Sequence, residues 1–346
     1  MRVIIIGHSM IHDRQHSFFR ALAREGHDVL LVAPWKWLDL KLQAGPRGLV
    51  DVPPPYTLHS SEERFSAVGL QVIHGEGDMY TYDLLGLEAA IKGFEPDCIY
   101  IQQEMECKIT AKCINLAKAN GWPVAVFVWE NLRPLGTEAS ELLAQVNLCV
   151  CGNDRAAELH AAAPRRVFLP QVGVDTDHFW YRPGVERDID VGFIGRAVPE
   201  KGINEIREAW PSAKIPPWRP WRELPWAYSH LKVCVCYSKD TATWREQAMS
   251  YVNVEGLSCG CAVVTSDGGA IPWWLGGGFC EPCPGAVIVP QGQPGRLRDA
   301  MKESLEHWWE LGDKGRDWVK ANLGSKVIAQ RLSSELMQVV KAGIHG

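Results

Sequence analysis

Arg196 and Lys201 close the apolar run IDVGFIGR and the turn AVPEK that follows it. A guanidinium at a strand end and an ammonium at a helix start can converge on one anion, and the helix N-terminus adds partial positive charge. Glu246 and Glu255 come next, in TWREQAMSYVNVEGLSCGCAVVTSD, and carboxylates accept hydrogen bonds from adjacent hydroxyls. Ser266, Asp267, Gly268 and Gly269 then form a turn of small residues where backbone can approach a ligand closely. Such a set suits a ligand with both anionic and hydroxyl groups.

A second group lies in the amino-terminal half. GHSMIHDRQHSFF places His8, His12 and His16 four apart, so on a helix they would share one face and could serve an anion, a proton transfer or a metal. YIQQEMECK and VWEN each follow an apolar run and make Glu104 and Glu130 candidates, beside the plain reading of ordinary loop carboxylates. The DTD at Asp175 to Asp177 has the spacing of a metal-held diphosphate site, but it follows VGV in a linker, and no metal role is assigned to it. Cys149 with Cys151, Cys234 with Cys236, and Cys259 with Cys261 form CxC pairs. Residues two apart on a strand share a face, so buried thiols are expected rather than ligands. Cys280 and Cys283 make a lone CxxC, short of the four ligands of a structural zinc site.

The elements that must position these residues show a repeating rhythm. Val3–Ile6, Val29–Val32, Cys98–Ile101, Val124–Val128, Leu148–Cys151 and Val167–Leu169 are short apolar runs separated by helix-like segments. That alternation implies a parallel sheet covered on both faces. The first helix is expected from near Arg14 to Arg24, burying Phe18, Phe19 and Leu22 and stopping at Gly26. After LPQVGVDTDHFWYRPGVERD the rhythm restarts: a strand ending in Gly195 and Arg196, a helix from about Gly202, then runs at Val233–Cys236, Ala262–Thr265 and Val287–Val289. No Walker A sequence and no GxGxxG follows the first strand, which removes the P-loop and ordinary dinucleotide readings.

With 346 residues, 46% of them hydrophobic and 22% charged, the chain can bury two cores. A formal charge of −5 argues against a nucleic-acid partner. The opening MRVIIIGHSM reads as a buried strand and not a signal peptide, and no apolar stretch approaches the roughly 18 residues of a membrane span. Eleven cysteines in that setting point to reduced thiols and a cytoplasmic location.

Four segments in order, REGHDVLLVAP, LPQVGVDTDHF, GFIGRAVPEKG and TWREQAMSYVNVEGLSCGCAVVTSDGGAIPWW, resemble the family 4 retaining glycosyltransferases over most of the chain. The resemblance implies an α/β GT-B fold, two Rossmann-like doubly wound domains facing a central cleft. Their expected extents are 1–172 for the acceptor domain and 173–325 for the nucleotide-sugar domain, with 326–346 a helix that packs back on the first. It also implies a retaining, metal-independent transferase without a cofactor. The catalytic residues would be Glu246, Arg196 and Lys201, with Arg196 and Lys201 on the donor's phosphates, Glu246 at the transferred sugar and Glu255 at the ribose. Gly195, Gln247, Ala248 and Gly7 complete the implied donor site, and His8, His12, His16, Glu104 and Glu130 fall on the acceptor side. The partners implied are a nucleotide-sugar donor and a glycan, lipid-linked or small-molecule acceptor.

Three departures qualify that pattern. Glu246 and Glu255 are separated by one residue more than in the family, and Gly7 stands where relatives carry a glycine pair. The segment KIPPWRPWRELPWAYSH replaces a much longer stretch, so the second domain should lack two strands. Trp218, Trp221 and Trp226 are expected to cover the exposed sheet edge, and with Arg219 and Arg222 they would permit a peripheral membrane contact. Two other functions compete: a GT-B protein that binds sugar nucleotides or a partner without catalysis, and a different GT-B enzyme such as a non-hydrolysing sugar-nucleotide epimerase or a DNA-modifying glucosyltransferase, the last disfavoured by the acidic charge.

Overall fold

The computed structural model describes residues 1–38, 49–51, 64–217 and 219–344. Its contacts gather into two compact units, Met1–Val172 with Ile328–Gly346, and Gly173–Val327.

The first unit is built on seven parallel strands: β1 (Arg2–Ile6), β2 (Asp28–Pro34), β3 (Phe65–Leu70), β4 (Cys98–Ile101), β5 (Val124–Val128), β6 (Leu148–Cys151) and β7 (Arg166–Phe168). Across the sheet they run β7, β6, β5, β4, β1, β2, β3, so the winding reverses between β1 and β4. Val3 to Ile6 have no exposed surface, and β4, β5 and β6 are buried throughout. Strands sheathed on both faces carry unbroken apolar runs. The helix Asp13–Arg24 buries Phe18, Phe19 and Leu22 and ends just before Gly26, whose φ of 91° turns the chain out of the helix.

One strand of this sheet was not expected. β3, with sequence FSAVGL, is an edge strand whose residues are mostly half-buried, so it shows no continuous apolar run. Two small antiparallel pairs, Lys36–Leu38 with Leu49–Asp51 and Val72–His74 with Asp83–Leu84, also lie outside the expected set.

The second unit holds four parallel strands side by side: β8 (Ile189–Gly192), β9 (Leu231–Cys236), β10 (Ala262–Ser266) and β11 (Ala286–Val289). Val191, Phe193, Val233, Val235, Ala262 and Val264 pack with Ile203, Ile206, Leu297 and Met301 from covering helices. β8 pairs with β9 only as far as Gly192, so the expected strand end at Gly195 and Arg196 is corrected to Gly192. On the outer side of β8 the backbone of Lys214 takes over: Lys214 N donates to Val191 O at 3.0 Å, and Phe193 N donates to Lys214 O at 2.9 Å. The chain thus passes one side of β8 at Lys214 and the other at β9, and the winding reverses at β8.

That bridge, and not Trp221, pairs the outer edge of β8. Trp221 instead stacks on His178, with ring centroids 3.9 Å apart, and meets Phe179 edge-on. Trp226 is 54% exposed, and Trp218 lies outside the described residues.

Arg187 fixes the linker to the base of the second sheet. It is buried, among the described residues without a carboxylate partner in an ion pair, and its guanidinium donates to the carbonyls of Leu231 and Cys259 while lying over the rings of Tyr181 and Trp308. The chain then returns to the first unit through the helix Ser325–Ile344, where Ser333 bonds His27 at 2.6 Å and Arg165 donates to Gln338 at 2.7 Å. All 11 cysteines are free thiols, and the six of the CxC pairs are buried. Among the described residues no helix is long and apolar enough to cross a membrane, and no three His, Cys, Asp or Glu side chains gather as a metal-binding group.

Candidate functional site

Open α/β sheets bind ligands beyond the carboxyl ends of their strands, where the winding reverses. In the second unit that place follows β8. Gly195 is half-buried there and Arg196 is exposed. The turn Pro199–Lys201 and the helix Ile203–Ala209 come next, joined by Gly202 at a φ of 68°. A Cβ on Gly202 would lie 2.1 Å from Tyr237 O, so this turn is pressed against the end of β9.

The turn carries Lys201 onto Glu246, whose Oε2 accepts from the ammonium. The two side chains are only 13% and 10% exposed. Ser238, just past β9, donates to the same carboxylate oxygen at 3.0 Å, and the Trp244 ring centroid lies 5.0 Å from the ammonium. The Glu246 backbone is tied in turn to the loop after β10, where Ala270 N donates to Glu246 O at 2.8 Å. Burial is the largest influence on the Lys201 pKa and would lower it, but the charge and hydrogen bond of Glu246 together with Cys236 outweigh it and hold the ammonium above its ordinary range. Arg196 acts in the opposite sense, which places a second positive charge within reach of the first.

Glu246 lies in an irregular run and not at a helix N-terminus, so the one-residue excess in spacing has a place to go. The helix begins only at Tyr251, after Ser250 with a φ of 53°, and Gln247 and Ala248 are half-buried in the run before it. Glu255 is not brought into this cluster. It is 2% exposed on the helix Tyr251–Ser258, where the Tyr228 hydroxyl donates to its Oε2 at 3.3 Å. Asp175 of the DTD caps its own turn, accepting from the N–H groups of Asp177 at 3.1 Å and His178 at 3.0 Å.

Ser238 and Trp244 were not foreseen as neighbours of Lys201. The only sequence signal for Ser238 is its place immediately after the apolar run CVCY.

In the first unit the reversal lies between β1 and β4. Gly7 ends β1 and donates to Val32 O at 3.3 Å. His8 follows, and both its N–H and its Nδ1 lie against Gln103 Oε1, at 3.3 and 2.7 Å. Gln103 Nε2 donates to Met79 O and Cys107 Sγ, so the amide oxygen faces His8 and Nδ1 carries the proton. The three histidines do not share a helix face. His8 opens a separate 3-10 turn, His12 is extended with φ −89° and ψ 140°, and the helix starts at Asp13. His16 Nε2 contacts Met10 O at 2.7 Å, and burial lowers its pKa despite that bond.

Glu104 and Glu130 both serve loops of their own unit. Glu104 Oε1 accepts from Trp129 N at 3.0 Å and Glu130 N at 3.2 Å. Glu130 Oε1 accepts from Leu132 N at 2.8 Å and Arg133 N at 3.3 Å, and Glu130 Oε2 pairs with Arg133, which also donates to the Tyr80 hydroxyl at 3.2 Å.

No protein-family model and no curated protein matches this sequence. Solved structures do match it along nearly its whole length. Sucrose-phosphate synthase from Thermosynechococcus elongatus aligns with a TM-score of 0.70 at 14% identity, covering 99% of this chain and 100% of that one. AviGT4, a glycosyltransferase involved in avilamycin A biosynthesis, aligns at 0.63 with 14% identity over 99% and 98% of the two chains. An alpha-glucosyltransferase solved with UDP and a 13-mer DNA aligns at 0.61 with 12% identity over 99% of each. At such identities the likeness is one of fold, and the fold is GT-B.

Proposed function

We propose that the chain is a retaining, metal-independent glycosyltransferase of the family 4 kind, using a nucleotide-sugar donor. The observation that carries this reading is the Lys201–Glu246 pair, held beside Arg196 at the winding reversal of the second unit. In the reaction the bond from the anomeric carbon to the diphosphate breaks, and its electron pair goes to the leaving oxygen. Arg196 and Lys201 meet that charge. The acceptor hydroxyl bonds to the same carbon from the same face, and its proton passes to the leaving phosphate, so no protein base is required. Glu246 takes hydroxyls of the transferred sugar once the donor's phosphate engages Lys201. Acceptors, whether glycan, lipid-linked or small molecules, belong to the first unit, where His8, Gln103, Glu130 and Arg133 stand near strand ends. With a net charge of −5, DNA is not the acceptor favoured.

The test is a calorimetric panel of UDP-, GDP-, ADP- and TDP-sugars, with and without EDTA, on the wild type and on Arg196→Ala and Lys201→Ala. Binding of one nucleotide class, indifferent to EDTA and lost in both variants, is the expected result. Metal-dependent binding would remove the metal-independent part of the reading, and binding unaffected by both substitutions would move the donor elsewhere.

Glu246→Gln separates the two roles of the carboxylate. Nucleoside diphosphate alone should bind as tightly or more tightly, because Lys201 is relieved of its competing partner. Turnover of the intact donor should fall about 100-fold. Weaker diphosphate binding in calorimetry would show instead that Glu246 holds Lys201 in place for the phosphate.

A second reading has its own support. Glu255, the residue expected at the ribose, is enclosed against Tyr228. A GT-B protein that binds a partner without catalysis fits that enclosure. It is favoured if no sugar nucleotide in the panel binds.

A further inference from the structure

Inside the first unit, two polar atoms of opposite kinds of side chain face each other unsatisfied. His160 is fully buried, and its Nδ1 lies 2.7 Å from Ala156 O. A carbonyl only accepts, so Nδ1 carries the ring proton, and in the neutral ring Nε2 is a bare acceptor. Among the described residues neither His160 Nε2 nor Glu104 Oε2 has a hydrogen-bond partner, and they stand 4.0 Å apart. Two buried acceptors opposed in this way are costly, whereas one proton between them turns one into a donor to the other. A small side-chain rotation closes the remaining gap to bonding distance.

We propose that Glu104 and His160 share one proton across these atoms, and that this proton holds the loop 129–133 in place at the strand ends of the first unit. The link to the loop is the other oxygen of Glu104, which binds the N–H groups of Trp129 and Glu130. Glu130 in turn holds Leu132 and Arg133. Glu104 is therefore a positioning residue. The bearing of this loop on acceptor binding rests on the function proposed above, but the proton pair does not, and its test needs neither donor nor acceptor.

The surroundings favour the neutral form. Glu106 on the same loop, Glu130 on the next, and Cys107, Tyr80 and the β6 thiol of Cys149 are the titratable groups that interact with Glu104, and Arg133 is engaged with Glu130 and Tyr80. Burial pushes the Glu104 carboxyl up to about 8, the charges of Glu106 and Glu130 add to this, and the two N–H bonds oppose it. Burial lowers the His160 pKa, against the bond to Ala156 and the charge of Glu130. Both shifts place the proton on the carboxyl, donating to bare Nε2.

The folded chain keeps a proton on Glu104 that the unfolded chain releases above its ordinary value of 4.5. This stabilising effect declines as pH rises toward about 8 and is gone above it. His160 contributes the opposite slope, but only below its ordinary 6.5, so the interval from 6.5 to 8 isolates Glu104.

Glu104→Gln imitates the protonated pair, since its amide oxygen can keep both loop bonds while its amide nitrogen donates to His160. From pH 6.5 to 8.5 the unfolding midpoint of the wild type should fall relative to this variant by about 4 °C. Hydrogen exchange at Trp129 and Glu130 should quicken in the wild type relative to the variant over the same interval. Parallel midpoint curves with equal protection would overturn the proposal. Should the variant fail to fold, nitrogen NMR of His160 in the wild type decides. A ring that stays neutral, protonated at Nδ1, from pH 5 to 7.5 supports the shared proton, and an ordinary titration near 6.5 overturns it.

Discussion

Lys201→Ala is expected to lower turnover at least about 100-fold, the loss of about 3 kcal/mol of transition-state stabilisation that one preorganised cation supplies. The effect should appear in kcat as well as kcat/KM, because charge on the leaving diphosphate grows only as the bond breaks. The substitution also takes the cation away from Glu246, a carboxylate with a side chain only 10% exposed, and leaves it the weaker bond from Ser238. Removing one partner of a largely buried pair is destabilising, so a lower unfolding midpoint is expected alongside. The double variant Lys201→Ala with Glu246→Gln separates the two effects. It should recover most of the midpoint and none of the turnover. Recovery of turnover together with stability would mean that Lys201 is structural, and unchanged turnover in the single variant would remove its catalytic role.

Gly202→Ala should be among the most damaging single-methyl changes in the second unit. Its φ of 68° already disfavours an L residue, and the new Cβ would lie 2.1 Å from Tyr237 O and 2.9 Å from Tyr237 C. The left-handed backbone costs about 1–2 kcal/mol. The overlap is with main chain at the end of β9, which cannot swing aside as a side chain would. A total loss of about 3 kcal/mol or more is expected, lowering the midpoint by roughly 6 °C or more in thermal melts. Gly292→Ala is the matched control: its φ is 73° and nothing lies within 4 Å of the added Cβ. The difference between the two variants measures the close approach that brings Lys201 to Glu246. Equal losses would show that backbone strain alone explains both.

The parts of this fold that could be read from sequence are those where one strand is buried on both faces. β1, β4, β5 and β6 carry unbroken apolar runs because helices or neighbouring chain cover them above and below. β3 escaped because an edge strand needs apolar residues only on part of its surface, and Lys214 escaped because a single bridge has no periodicity at all. For the candidate site, Arg196, Lys201 and Glu246 were each singled out from motif and charge. That Lys201 and Glu246 would touch was not, since the contact joins residues 45 positions apart through loops after β8, β9 and β10. The four-residue spacing of His8, His12 and His16 misled because spacing says nothing about the extended backbone at His12 that breaks the helix. The burial of Glu255 depends on which way a short helix is rolled against Tyr228, and its weak amphipathic pattern left that open.

The first unit is made from two stretches of chain, and the second from one stretch lying between them. During synthesis the second unit therefore has all of its sequence before the first does. Ile328, Ala329, Leu332, Leu336 and Val339 reach their buried positions only after the second unit has been made. Until then the surface they cover on the first unit stays bare, and it is in that interval that the nascent chain is most open to self-association and to chaperones.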